Sequence, residues 1–257
     1  MGKVIAISNQ KGGVGKTTTS VNLTAALGAF GKKVLILDSD PQGNTSSGYG
    51  INKKQIENSI YHVMVDQTPI ENAIIKTPFR GVDIIPSGID LAGAEMELVE
   101  KENRTSTLKS GIAKIKSNYD YIFIDCPPSL GLITLNALTA CDTVLIPIQC
   151  EYYAMEGLAQ LMDTIRKVKR MYNSYLEIEG VLLTMFDSRL NLTAQVVAEI
   201  KKHFRGKVFS TFIPRNVKLS EAPSFGKPVI YYDVASRGTQ AYKSLAEEFL
   251  KNNRSGQ

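Results

Sequence analysis

The 257-residue sequence has no tryptophan, two histidines and three cysteines. His62 and His203 lie far apart, with no further ligand types grouped beside either, so a histidine-built metal centre is not expected. Cys126, Cys141 and Cys150 are odd in number and lack C-x-x-C spacing. They read as small buried hydrophobes in a reducing compartment, not as a disulfide frame or a zinc site. No apolar run reaches the ~18 residues that cross a bilayer. Met1-Gly2-Lys3 leads straight into a strand, which argues against a signal peptide, and Ser8 is misplaced for myristoylation. A cytoplasmic location is expected. Internal repeats and low-complexity segments are absent.

What is present begins with charge. The net charge is +5, and its distribution is uneven. Residues 1–150 hold 14 basic and 14 acidic side chains, whereas residues 151–257 hold 16 and 11, so the whole excess sits in the second part. Between residues 166 and 218 the count is 11 against 4. Such asymmetry points to an acidic partner, with nucleic acid first among the candidates. At 43% hydrophobic, a chain of this length can bury a substantial core in one domain spanning residues 1–257.

The most informative stretch is Gln10-Lys11-Gly12-Gly13-Val14-Gly15-Lys16-Thr17-Thr18, set between an apolar run at 4–7 and a helix-like segment at 18–30. Strand, glycine-rich turn, helix is the setting of a phosphate-binding loop. Glycines let backbone N–H groups approach a polyphosphate, and the new helix offers its positive end to the same anion. Lys16 would reach the β- and γ-phosphates, and the Thr17 hydroxyl would ligate Mg²⁺. The strict G-x-x-x-x-G-K-[ST] pattern fails at its first glycine, where Gln10 stands, and a second lysine, Lys11, lies inside the loop.

Residues 34–38 form a buried-strand pattern ending in Asp38-Ser39-Asp40-Pro41. Acids just past a parallel strand stand where open α/β sheets bind ligands, and two of them can divide the tasks of holding metal-bound water and orienting an attacking water. Residues 121–125 repeat the pattern, a strand ending in Asp125, followed by the stiff turn Cys126-Pro127-Pro128-Ser129. Further strands are expected at 82–86, 143–148, 181–185 and 208–213, and helices at 56–65, 70–75, 91–102, 107–117, 152–171, 193–204 and 239–251. The helix at 152–171 carries an apolar stripe through Leu158, Leu161, Ile165 and Val168, opposite a basic face, Arg166-Lys167-Lys169-Arg170. Strands alternating with helices throughout imply an α/β fold, a doubly wound, mostly parallel twisted sheet flanked by helices.

With its second loop lysine, the motif is the deviant Walker A form, and the chain resembles the ParA/MinD family of P-loop ATPases over nearly its whole length, most of all the chromosomal partition ATPases called Soj or ParA. The resemblance implies ATP and Mg²⁺ as cofactors and residues 11–18 as the ATP cradle: Lys11, Gly12, Gly13, Val14, Gly15, Lys16, Thr17 and Thr18. It implies that Pro214 and Asn216 hold the adenine, that Asp40 serves hydrolysis, and that Asp38 and Asp125 organise the metal through water. Lys11 would cross to the nucleotide of a second subunit in an ATP-dependent homodimer. Arg189 and Lys218 match positions implicated in non-specific DNA binding, which implies a nucleoid-associated protein working with a ParB-like centromere-binding partner. The alternative within the family is a MinD-like membrane-surface positioning ATPase, disfavoured because no basic amphipathic helix follows the helix at 239–251. Metal-carrier and nitrogenase-reductase relatives need cysteines placed to bridge two subunits, a spacing not found here.

Overall fold

The structure, a computed structural model, describes residues 2–151, 154–187 and 191–254. In chain order the elements are β1 (Lys3–Ile7), α1 (Lys16–Ala29), β2 (Val34–Asp38), α2 (Asn44–Gly48), α3 (Ile60–Met64), β3 (Ile75–Lys76), β4 (Val82–Ile85), α4 (Ala94–Val99), α5 (Thr107–Ile115), β5 (Tyr121–Asp125) and α6 (Leu132–Ala140). There follow β6 (Thr143–Gln149), α7 (Ala154–Met171), β7 (Glu177–Thr184), α8 (Asn191–His203), α9 (Val217–Glu221), α10 (Val229–Tyr232) and α11 (Arg237–Arg254).

Seven strands form one sheet in the order β3-β4-β2-β5-β1-β6-β7. Every pairing is parallel except the short edge strand β3, which runs antiparallel to β4. The strands are apolar at nearly every position because both faces are covered. Alternate residues go to opposite cores. Val4 and Ala6 of β1, Leu35 and Leu37 of β2 and Ile122 and Ile124 of β5 face one cluster, with Leu158, Leu161, Ile165 and Val168 of α7. Ile5 and Ile7, Val34 and Ile36, and Phe123 face the other, under α1 and α11. The expected stripe on α7 is therefore core.

Several expectations need correction. Residues 208–213 form no strand; Val208 and Pro214 make only isolated bridges, to Val181 and Phe186. The β-branched and aromatic residues of this segment favour a strand, but it meets β7 only at single points. Residues 70–75 split into a short 3-10 turn, Ile70–Ala73, and the edge strand β3. The helix expected at 56–65 shrinks to α3, whose start Ser59 fixes by accepting a hydrogen bond from the Tyr61 N–H, while His62 reaches back to the Ser59 N–H.

On the α11 side, Phe123 lies fully buried with its ring centroid 5.8 Å from that of Phe249. Phe123→Ala should lower the unfolding free energy by about 3–5 kcal/mol through lost burial and a residual cavity. Urea unfolding monitored by circular dichroism checks this; a midpoint unchanged from wild type would show that the aromatic cluster is not a principal support of this face.

Candidate functional site

The site is built where β1, β2 and β5 stop level with one another. Parallel register pairs Ile7 with Asp125 and Asp38 with Asp125, so two aspartates end adjacent strands beside the departure point of the 8–15 loop. This is the carboxyl edge of the sheet, where ligands of such folds sit.

The loop is anchored to the strands flanking it. The Asn9 amide donates to Pro147 O of β6 at 2.7 Å, and Asn9 Oδ1 accepts the Lys11 N–H at 3.0 Å. On the other side, the Thr184 hydroxyl at the end of β7 donates to Val14 O at 2.8 Å. Gly13 and Gly15 take φ of +74° and +85°, left-handed values at which a side chain would be strained, so glycine is required at both. Gly15 begins α1 without a side-chain cap, and no acid lies in the first turn. The orphan N–H groups and the positive end of α1 are thus left for an anion. Lys16 is buried to 7% exposure, with Nζ donating to Lys11 O at 3.2 Å. Burial lowers its pKa, an effect partly offset by the charges of Asp125 and Asp40.

Asp125 is fully buried and accepts three hydroxyl hydrogen bonds: Thr17 at 2.9 Å, Ser20 at 2.8 Å and Thr45 at 2.7 Å. Asp38, also fully buried, accepts the N–H and the hydroxyl of Ser46, each at 2.7 Å. Burial pushes the Asp38 carboxyl up to about 7, helped by the neighbouring Asp125 charge and opposed by Ser46. Burial raises Asp125 as well, against its three hydroxyl donors. Among the described residues no group of three or more His, Cys, Asp or Glu side chains could hold a metal ion. The oxygen set at Thr17, Asp38 and Asp125 nevertheless fits Mg²⁺, which keeps most of its water and takes one or two protein groups together with phosphate oxygens.

Asp40 differs from these two. It is half-exposed in a tight turn, where Oδ1 accepts the Gln42 N–H at 2.9 Å and its carbonyl accepts the Gly43 N–H at 2.9 Å. Lys11 extends away from the loop to Glu151 of the same chain, Nζ to Oε2 2.7 Å. Pro214 and Asn216 line a cavity of about 450 Å³ together with Gly15 and Thr18, so the structure places them beside the phosphate loop. Met185, at φ +48°, lies on the same wall. A left-handed methionine is uncommon and belongs to the kind of backbone found at ligand sites. Lys218, on α9 just past the cavity, pairs with Glu221 at 2.8 Å and lies 5.7 Å above the Tyr232 ring. Arg189 falls outside the described residues.

Sequence reasoning missed Ser20, Thr45, Ser46 and Thr184. Ser20 follows Thr17 by three residues, which puts both hydroxyls on one helix face, so that contact was readable from spacing. The pairings of Thr45 and Thr184 join segments remote in sequence and leave no local trace.

The raised pKa of Asp38 has a defined sign. Between its ordinary value near 4 and about 7 the folded chain keeps a proton that the unfolded chain has released, so stability falls as pH rises through that window. Wild type without nucleotide should lose stability from about pH 4 to about pH 7, and Asp38→Asn should lack that component. Urea midpoints across the range check this; parallel profiles for the two proteins would refute it.

Comparison with known proteins agrees with the geometry. A family model described as an AAA domain matches residues 2–178. The sporulation initiation inhibitor protein Soj of Bacillus subtilis is 58% identical over 98% of this chain and 100% of its own length. The chromosome partitioning protein ParA of Myxococcus xanthus is 52% identical over 98% of this chain and 89% of its own. Among solved structures, cobyrinic acid a,c-diamide synthase of Mycobacterium smegmatis with ADP and magnesium superposes with a TM-score of 0.87 at 35% identity, covering 100% of this chain and 97% of that one. The cell-division ATPase MinD of Pyrococcus furiosus gives 0.79 at 28% identity, covering 98% and 99%. The chain belongs to the ParA/MinD family of P-loop ATPases, among the Soj and ParA chromosome partitioning proteins.

Proposed function

We propose that the chain, acting as one ATPase domain over residues 1–257, is a Mg²⁺-dependent ATP-hydrolysing switch that dimerises with ATP, binds DNA non-specifically and drives partition with a ParB-like partner. One observation carries the catalytic part: the uncapped start of α1 and the buried Lys16 converge with Thr17 and two buried aspartates on a single point of the sheet edge. Its relatives named for chromosome partitioning, at 58% and 52% identity along nearly the full chain, support the biological part. Among the described residues no helix is long and apolar enough to cross a membrane.

In this mechanism the loop amides of residues 12–17 and Lys16 bind the phosphates, while Pro214 and Asn216 hold the base in the adjoining cavity. Thr17 would give an oxygen to Mg²⁺, and Asp38 and Asp125 would hold its waters. When bound, the ion supplies neutralisation of charge on the phosphoryl oxygens. Asp40, half-exposed and turned toward its own loop, orients the attacking water. Phosphoryl transfer of this kind rests on positioning and charge compensation more than on covalent chemistry. Lys11 completes the site from a second subunit, for which its ion pair with Glu151 must open. Two copies of a modest basic surface then act on one DNA, so affinity rises on dimerisation and falls with salt.

Asp40→Ala should lower ATP turnover by about 100-fold or more while ATP-dependent DNA binding persists or strengthens. Turnover and fluorescence anisotropy on labelled duplex, with ATP, ADP or neither, measure both quantities at once. DNA binding independent of nucleotide would contradict the switch. Arg189→Glu and Lys218→Glu should each weaken DNA binding and lower the salt slope by about one, leaving turnover without DNA unchanged. Unaltered affinity in both would remove these two residues from the DNA surface.

A further inference from the structure

Because residues 208–213 form no strand, a space opens beside the edge of the sheet. The Phe209 N–H donates to Val181 O at 3.0 Å and the Ile213 N–H to Leu183 O at 2.8 Å. A step of two residues along β7 is thus matched by a step of four in the covering segment, and the surplus bows outward. Glu248 of α11 pins the bow, its carboxylate accepting the Ser210 N–H at 2.6 Å and the Thr211 N–H at 2.8 Å. Residues of the bow, of β7 and of α8 enclose a cavity of about 600 Å³, a size typical of small-molecule sites.

Its walls are aromatic. Phe186, Phe204, Phe209 and Phe212 line it, and the ring centroids of Phe186 and Phe212 lie 4.3 Å apart with their planes tilted by 37°. Phe212 is 45% exposed, so much of its ring is left open to water. Lys201, in the last turn of α8, and Arg205, just past it, also line the cavity. Both are exposed, and neither has an ion-pair partner among the described residues, whereas the adjacent Lys202 and His203 share Glu199. No described lining residue is acidic.

The same backbone walls the cavity beside the phosphate loop. Leu183 and Phe186 line the aromatic cavity, while Thr184 and Met185 between them line the one that contains Pro214 and Asn216. In the covering segment Phe212 and Ile213 divide in the same way. A regular strand would put Phe186 on the side of Thr184, because alternate residues share a face. The left-handed φ of +48° at Met185 breaks that alternation and returns Phe186 to the side of Leu183. One wall therefore serves two cavities back to back.

We propose that the aromatic cavity binds a small organic anion with a planar aromatic body, such as an aryl carboxylate or sulfonate, and that its occupant tightens nucleotide binding through the shared wall. Stacking against Phe212 and Phe186 favours a ring over an aliphatic chain. Lys201 and Arg205, unpaired and unopposed by any acid in the lining, favour a negative charge on the end that meets water. An occupant fills the space behind the wall and braces it, so the opposite cavity is better preorganised for its own ligand. The ligand half stands on this cavity alone. The coupling half rests on the reading given above, in which Pro214 and Asn216 hold the base.

The test uses the full chain and anilinonaphthalenesulfonate, an aromatic anion whose fluorescence rises in apolar surroundings. Without nucleotide the probe should bind saturably, and Phe212→Ser and Lys201→Gln/Arg205→Gln should each weaken it by roughly ten-fold or more. Naphthoate should displace it, and laurate and uncharged naphthalenemethanol should do so roughly ten-fold less well. Urea midpoints and ATP turnover without ligand should match wild type in both variants; if Phe212→Ser unfolds more readily, Phe212→Leu keeps the apolar volume and removes only the ring. Equal probe affinity in wild type and variants overturns the ligand half. So does laurate displacing as well as naphthoate, since the cavity would then take an acyl chain. Saturating naphthoate should tighten a fluorescent ATP analogue by about three-fold in wild type and not in Phe212→Ser, and ATP should tighten the probe by the same factor. Unchanged or weakened ATP affinity overturns the coupling half. Asn216→Ala should weaken ATP and leave the probe's affinity intact: a weakened probe would place it in the base cavity and overturn the ligand half, whereas unweakened ATP would count against the base-cavity reading alone.

Discussion

Two carboxylates buried side by side at the end of adjacent strands set the terms for the rest of the molecule. Asp38 and Asp125 are both fully buried and in direct register, and the Asp125 charge raises the pKa of Asp38 on top of the effect of its desolvation. Taking such charges out of water costs several kcal/mol per ion unless hydrogen bonds or a counter-charge compensate. Hydroxyls supply part of the compensation: Thr17, Ser20 and Thr45 at Asp125, and Ser46 at Asp38. Lys16 supplies another part, and it too is desolvated, so its own pKa is lowered. Three charged groups thus share a pocket that none of them satisfies in full. A divalent cation with a polyphosphate, held as proposed above, would relieve all three together, with the cation at the carboxylates and the phosphates at Lys16. Ligand binding and local stability are coupled through that single electrostatic arrangement.

The same constraint explains why the hydroxyl-rich stretches lie where they do. Residues 17–20 of α1 and 44–47 of α2 converge on the carboxylates from opposite sides, since α2 begins just after the Asp40 turn. Asp40 is thereby placed at the rim and not in the pocket. Its half-exposed position keeps it open to water, which suits the water-orienting role proposed for it. Lys11 lies at a rim of the same site, tied to Glu151 in a half-exposed ion pair that contributes little stability of its own. A weak pair suits the change of partner proposed for Lys11.

Much of this was legible in the sequence, for a physical reason. The phosphate loop, Asp38 and Asp125 sit at strand ends flanked by continuous apolar runs, and such runs identify strands covered on both faces without any knowledge of topology. The cavity formed by Pro214 and Asn216 against Gly15 was readable only through the resemblance, because nearly 200 residues separate the two walls. Local pattern failed where tertiary pairing decides the outcome. Residues 208–213 have the composition of a strand but meet β7 only at isolated bridges, and β3 is two residues long and owes its identity to β4 alone. Thr45, Ser46 and Thr184 escaped notice for the same reason. Each is an ordinary helix or strand-end hydroxyl until the fold brings it to a carboxylate or to the loop.

Charge segregation ties the site to what surrounds it. The basic excess lies beyond residue 150, whereas residues 89–102 are strongly acidic, so the two regions cannot recruit the same partner. Long-range fields of opposite sign on one small domain steer polyanions and polycations to different places. Both regions connect to the nucleotide edge by short routes: Lys218 through α9, whose first turn is capped by the cavity residue Asn216, and α4 through Glu95 against Gly131. The DNA-binding switch proposed above would draw on that separation, since only the basic region offers a polyanion a favourable field.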